Sequence, residues 1–359
     1  MVFSEILYLL VTAVSVLFVL VIMPLVIRVA NRYQLFDDQS PSRKDHGYGV
    51  PRLGGVAFFL SIVFTGLFFK IGIYESLPIP CLYAAGAVLF LVGFVDDLSG
   101  VACFTKLIFQ IIAGCLITVP GNIRINNLHG ILNMHQLSYT ESVGISIFII
   151  VFIINSFNLI DGIDGLAGTL GVIAALTFGY YFMRTGHVGL AALALLVAGS
   201  LIPFLAYNYS PTKIFMGDCG SLFLGLSCAV FALKFITINE ASALNNTQAA
   251  PAIAVAALIV PLFDTFTVVI TRICNKKSPF RADRNHIHHR LLRLGLNHMQ
   301  TTALLALVTL FFIGFALLLR HADSQLLLML FAAIMLALNL VVNLLLKAKN
   351  KQVFWVSAE

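Results

Sequence analysis

Apolar runs long enough to cross a bilayer recur along the whole 359-residue chain. A hydrocarbon core takes roughly 20 apolar residues per helical span. Such runs lie near 6–28, 53–72, 80–95, 104–119, 142–159, 166–183, 188–207, 220–236, 251–271, 303–319 and 325–346. The pattern predicts an all-α, polytopic helical bundle of about 11 transmembrane helices, folded as a single membrane-embedded domain over residues 1–359. No fixed-period repeat interrupts it.

Composition agrees, with 60% hydrophobic and 11% charged residues. Soluble chains sit nearer half and a quarter. The first run, Ile6 to Val29, has no basic residue before it and is too long for a signal-peptide core, so it reads as a retained anchor. The six cysteines are scattered without a C-x-x-C pair, which suggests neither a disulfide framework nor a thiolate zinc site. No soluble basic domain accompanies the net charge of +6, so nucleic acid is not an expected partner.

The basic residues instead follow the positive-inside rule. With the N-terminus outside, seventeen of the 22 lysines and arginines fall on inner segments. Only Lys70, Arg124, Arg184, Lys234 and Arg320 fall outside. This predicts a cytoplasmic C-terminus, inner loops at 30–52, 96–104, 158–165, 208–219 and 272–302, and an inner tail at 347–359. Every Asp except Asp323 then lies at or near the inner side. Charges inside a membrane are costly, so carboxylates at span ends face water, a partner or a ligand.

Four strings on that side carry possible chemistry. Asp96 and Asp97 end the third run in GFVDDLSG. Adjacent carboxylates gather a cation or accept protons; a solvated helix cap is the plain alternative. Between the fifth and sixth runs, NSFNLIDGIDGLAG spaces Asn158, Asp161 and Asp164 three apart, roughly on one side of a helical turn unless the glycines break it. A tight interhelical turn explains the glycines but not the acids. The string is not the dinucleotide G-x-G-x-x-G, and no strand precedes it.

KIFMGDCGS places Asp218 between glycines, where a carboxylate can reach magnesium shared with phosphate oxygens. Phe215 there suits stacking on a base or anchoring at the interface. The long inner loop holds SPFRADRNHIHHRLLRLGL, with Arg281, Arg284, His286, His288 and His289 close together. Arginine and histidine donors suit phosphate oxygens. A zinc site competes, since His-x-His-His has enough ligands, but the arginines oppose a cation. Leu291, Leu292, Leu294 and Leu296 predict a short amphipathic helix at the interface. PRLGG, Pro51 to Gly55, opens the second run, and Asp264 in the ninth is expected to pair with a basic neighbour.

In order, PRLGG, VDDL, NLIDGIDG, FMGDCGS and NHIHHRL resemble the polyprenyl-phosphate N-acetylhexosamine-1-phosphate transferases, glycosyltransferase family 4. The likeness is strongest to the WecA/TagO-like group and more distant to MraY and the dolichyl-phosphate enzyme. It implies transfer of N-acetylhexosamine-1-phosphate from a UDP-N-acetylhexosamine to undecaprenyl phosphate at the bacterial inner membrane, with release of UMP. It implies Mg²⁺, with Mn²⁺ as a substitute, held by Asp218 and Asn158. Asp96 and Asp97 match the pair assigned to the lipid phosphate, and Asp161, Asp164, Phe215 and Lys44 match uridine-side contacts. The histidine string is the WecA-like version, which argues for UDP-GlcNAc over a muramyl-pentapeptide donor. A homodimer is a further family expectation. Two other classes compete: a secondary transporter, whose sites lie at the bilayer midplane between internal repeats, and a membrane scaffold, which gives no reason for Asp, Asn and His at one level.

Overall fold

The computed structural model describes residues 2–36, 49–74, 77–131, 134–241, 247–276 and 285–356. These form α1 (Val2–Arg32), α2 (Gly54–Phe68), α3 (Ile79–Ser99), α4 (Cys103–Thr118), α5 (Tyr139–Ile160), α6 (Leu166–Arg184) and α7 (Val188–Asn208). Then follow α8 (Gly217–Ala241), α9 (Ala250–Ala257), α10 (Ile259–Cys274), α11 (Ile287–Leu294), α12 (His298–Leu318) and α13 (Ser324–Val356). No β-strand forms among the described residues, where only two isolated bridges occur, Phe36 with Pro51 and Asn127 with Gln136. Backbone groups in lipid must bond within their own segment, which is the physical reason an apolar chain becomes helical throughout.

Among the described residues, eight helices are long and apolar enough to span a membrane: α1, α3, α5, α6, α7, α8, α12 and α13. The pair α9–α10 makes a ninth if counted as one span, broken at Leu258 by a bend of 82°. The chain is a multi-pass membrane protein. The expected runs near 53–72 and 104–119 became α2 and α4, of 15 and 16 residues. At 1.5 Å per residue they reach only about 24 Å, short of the ~30 Å core. Length and composition thus secure eight spans, or nine, of the eleven expected.

α8 is the hub, packing against α2, α3, α5, α6, α7 and α9. Its apolar window and that of α7 are each 78% buried, against 17% for α13 and 22% for α1, so the last two form the rim. Lipid tails are as apolar as leucine, so close backbone approach and polar links hold such helices together. Both are present. A Cβ on Gly55 of α2 would lie 2.3 Å from the Gly220 backbone nitrogen of α8. Ser200 Oγ of α7 donates to Ser61 Oγ at 3.0 Å, and Ser61 Oγ donates to the Ser15 carbonyl at 3.2 Å, a buried chain from α7 through α2 to α1.

Local signals fix where helices start. Ser138 with Glu141 forms a capping box before α5, and Asn297 with Gln300 forms one before α12. The amphipathic helix expected from Leu291, Leu292, Leu294 and Leu296 is α11, which begins earlier, takes in His288 and His289, and has Leu291 buried and Gly295 closing it in the left-handed region. Consequently the ends of α3, α5 and α7, the starts of α2, α4, α6 and α8, and α11 meet at one end of the bundle.

Candidate active site

The centre of this end is the first turn of α8. Gly217 takes φ +76°, a conformation that L side chains rarely adopt, and a Cβ there would lie 1.9 Å from the Arg52 carbonyl oxygen. That turn exposes two backbone N–H groups with no intrahelical partner. Asp97 of α3 fills the need: Oδ1 accepts from the Asp218 N–H at 2.7 Å and Oδ2 from the Cys219 N–H at 3.0 Å. A carboxylate at a helix N-terminus also meets the positive end of the helix dipole.

PRLGG turns out to be part of the same cradle. The Phe215 N–H donates to the Pro51 carbonyl at 2.8 Å, while Gly54 and Gly55 donate back to Phe215 and Met216 at 2.9 and 2.8 Å. Phe215 is thereby held at the rim, half-buried. Asp96 turns elsewhere, accepting from the Val101 N–H at 2.6 Å. Lys106 of α4 joins the two acid strings, with Nζ 3.2 Å from Asp96 Oδ2 and 2.8 Å from Asp218 Oδ2.

NLIDGIDG approaches from the other side. α5 ends at Ile160, Asp161 caps it, and a turn leads to Gly165 at φ +76°. The expected single helical face for Asn158, Asp161 and Asp164 therefore does not persist, because the glycine-containing turn ends the helix. Asn158, in the last turn of α5, donates from Nδ2 to Ser221 Oγ of α8 at 3.0 Å, leaving its amide oxygen for another partner. Asp161 is enclosed by protein on most sides. Burial, then the neighbouring Asp218, Asp97 and Asp164, push its carboxyl well above the usual range, against a smaller opposing effect of Arg52. Asp164 pairs with His298 Nδ1 at 2.9 Å.

The histidine string closes the site. His286 Nδ1 lies 2.8 Å from Asp264 Oδ2, so the basic neighbour expected for Asp264 is a histidine. His288 lies on the NLIDGIDG turn: a Cβ on Gly162 would be 2.3 Å from its Nε2. Both His288 ring nitrogens are buried without a hydrogen-bond partner among the described residues. Burial, and after it His289, His286 and His298, hold its pKa well below the usual value, so the ring is neutral at neutral pH. His289 stacks obliquely on it, with centroids 4.2 Å apart.

The family description "Glycosyl transferase family 4" matches residues 79–236, which include every acid of this site except Asp264. A protein of Bacillus subtilis (strain 168) named "Probable undecaprenyl-phosphate N-acetylglucosaminyl 1-phosphate transferase" is 32% identical over 314 residues, covering 86% of this chain and 84% of that one. The chain belongs to glycosyl transferase family 4. Also similar are an "Undecaprenyl-phosphate alpha-N-acetylglucosaminyl 1-phosphate transferase" of Haemophilus influenzae and a "Decaprenyl-phosphate N-acetylglucosaminephosphotransferase" of Mycobacterium tuberculosis (strain ATCC 25618 / H37Rv). The first is 32% identical with 76% of each chain covered. The second is 29% identical, with 74% of this chain and 72% of that one covered.

In this family 4 chain the structure brings Asp96, Asp97, Asn158, Asp161, Phe215 and Asp218 around one cradle and lays His288 beside it. Lys44, Arg281 and Arg284 lie outside the described residues. Two residues carry more than the sequence suggested. Lys106 looked like one of many inner-side cations, yet it bonds to Asp96 and Asp218 together. Its helical position at the mouth of a span was the available signal. Asn208, which belongs to none of the strings picked out from the sequence, is buried and ties the two loops, accepting from the Gly165 N–H and donating to the Ile214 carbonyl, both at 2.9 Å.

Among the described residues no three His, Cys, Asp or Glu side chains form a metal site by themselves. Magnesium does not need one: it keeps several waters and takes one or two carboxylates plus substrate phosphate oxygens. The carboxylate of Asp218 and the amide oxygen of Asn158 are hard oxygen donors of that kind. The residues fit a divalent cation.

Proposed function

We propose that this chain transfers N-acetylglucosamine-1-phosphate from UDP-N-acetylglucosamine to undecaprenyl phosphate, releasing UMP at the cytoplasmic face of a bacterial inner membrane. The carrying observation is the convergence, at one end of a lipid-embedded bundle, of Asp97, Asp218, Lys106 and the buried ring of His288. The names of the similar proteins support the sugar and the lipid class. Eleven spans with the N-terminus outside follow if α2 and α4 cross a locally thinned bilayer, and that orientation puts the site and the basic loops inside. The whole chain then acts as one transferase domain, and a homodimer is the expected assembly.

A lipid-phosphate oxygen attacks the β-phosphorus of the UDP-sugar, and the bond to the UMP oxygen breaks. Asp218 and Asn158 would hold Mg²⁺, or Mn²⁺ in its place, which would supply charge neutralisation at the diphosphate. Asp97 keeps the first turn of α8 rigid, so the Asp218 carboxylate is preorganised. Lys106 offers a cation that can move from the carboxylates to phosphate oxygens. Asp96 and Asp97 orient the acceptor; its phosphate has a second pKa of about 6 and needs little help to ionise. Asp161, Asp164, Phe215 and Lys44 take the uridine side, and Arg281, Arg284, His286, His288 and His289 the diphosphate.

Purified protein given radiolabelled UDP-N-acetylhexosamines, undecaprenyl phosphate and Mg²⁺ tests the reading. Lipid-linked product with stoichiometric UMP supports it, and absence of both from folded protein sinks it.

A further inference from the structure

Asp264 lies 2% exposed in the second turn of α10, just past the bend at Leu258. Nothing in the transfer step uses it. Yet both its oxygens are engaged by the start of the histidine string, Oδ2 with His286 Nδ1 at 2.8 Å and Oδ1 with the Ile287 N–H at 2.7 Å. We propose that Asp264 is a positioning residue: it anchors α11 to the broken helix and fixes the tautomer of His286, so that Nε2 is the nitrogen turned to substrate.

The chemistry follows from the acceptor-only nature of an ionised carboxylate. Facing it, Nδ1 must carry the proton, and Nε2 is left to act toward a ligand. The orientation is passed along the string, because the His286 and His288 rings lie 14° from parallel with centroids 5.7 Å apart, and His288 rests on Gly162. Arg290 is a further charged group near the pair, and its Nη1 is held by Asn339 and Asn343 of α13. The middle of α11 is thus tied to α13 independently. The bond to Ile287 alone would make Asp264 a simple helix cap. The bond to His286 gives it a second role, and the two can be separated.

Asp264→Asn keeps a carbonyl oxygen for the Ile287 N–H but replaces the anion facing Nδ1 with a neutral amide. Asp264→Ala removes both contacts. The kinetic arm rests on the transferase reading. It predicts that Asp264→Asn lowers kcat at least tenfold with KM for the UDP-sugar within threefold. It also predicts that Asp264→Asn combined with His286→Ala is no slower than His286→Ala alone. Near-wild-type kcat in Asp264→Asn, or losses that multiply in the double variant, overturns the proposal. A second arm needs no turnover: ¹⁵N NMR of the full-length, histidine-labelled protein in detergent. A His286 ring protonated at Nδ1 in the wild type, and altered in Asp264→Asn, supports the positioning role. An unchanged His286 signal overturns it. Failure of the wild type to make lipid product would count against the transferase reading and leave the NMR outcome standing.

Discussion

Asp97 and Asp218 stand 121 positions apart, yet Asp97 Oδ1 accepts the Asp218 backbone N–H at 2.7 Å. The carboxylate of one acid string therefore builds the helix end that presents the carboxylate of another. Each of the two acids has its own donors: backbone N–H groups for Asp97, and Lys106 for Asp218.

Asp97→Asn should be damaging even though it is nearly isosteric. One amide oxygen can keep a single N–H, but the amide NH₂ then opposes the other. Leaving a buried donor unmet costs roughly 1–3 kcal/mol. Turnover is expected to fall more than tenfold, and thermal unfolding in detergent should show the stability loss. Wild-type melting with abolished turnover would instead assign Asp97 to chemistry alone.

Gly217→Ala should be among the worst single methyl additions. Its Cβ would meet the Arg52 carbonyl at 1.9 Å and Asp97 Oδ2 at 2.6 Å, on a backbone already at φ +76°. Strain plus overpacking amounts to about 3 kcal/mol or more. Gly144→Ala, whose new Cβ would meet no described atom within 4 Å, is the control and should change stability by less than ~1 kcal/mol. Equal melting temperatures for the two variants would refute the cradle.

Lys106→Gln leaves Asp96 and Asp218 without their shared cation. Both ends are part-exposed, with side-chain exposures of 20% for Lys106, 15% for Asp96 and 25% for Asp218, so the cost is about 1–2 kcal/mol rather than that of a fully buried pair. Millimolar Mg²⁺ should recover much of that stability, and Asp218→Asn should abolish both turnover and the Mg²⁺ response. Melting curves with and without Mg²⁺ decide it. A Lys106→Gln variant indifferent to Mg²⁺ speaks against a cation at Asp218.

His288 gives a pH signature with a definite sign. Its folded-state pKa lies well below the unfolded value of about 6.5, chiefly through burial. Above 6.5 the ring is neutral in both states and pH has no effect through it. Below 6.5 the unfolded chain binds the extra proton, so stability falls as pH falls. His288→Gln should flatten the melting temperature between pH 6.5 and 5. An unaltered acid slope would mean that other groups set it.

Much of this was legible in the sequence because it depends on local chemistry. Long apolar runs must be helices in lipid, and Ser138–Glu141 and Asn297–Gln300 cap whichever helix follows them. The motifs marking the site were also readable, since carboxylates, amides and histidines at span ends are expensive unless used. Gly165 and the turn before it broke the expected helical face of Asn158, Asp161 and Asp164, a choice that depends on what Asn208 and Tyr209 offer from the end of α7.

The sequence by itself determined the membrane class and eight or nine of the helical spans, and it named the candidate residues, because hydropathy and side-chain chemistry act at each position. Only the tertiary structure decided the partnerships: Asp97 with the α8 N-terminus, Lys106 between Asp96 and Asp218, Asp264 with His286. Contacts between residues far apart in the chain depend on how helices cross. Those crossings are set by close backbone approach, as at Gly55 and Gly220, which no local pattern encodes.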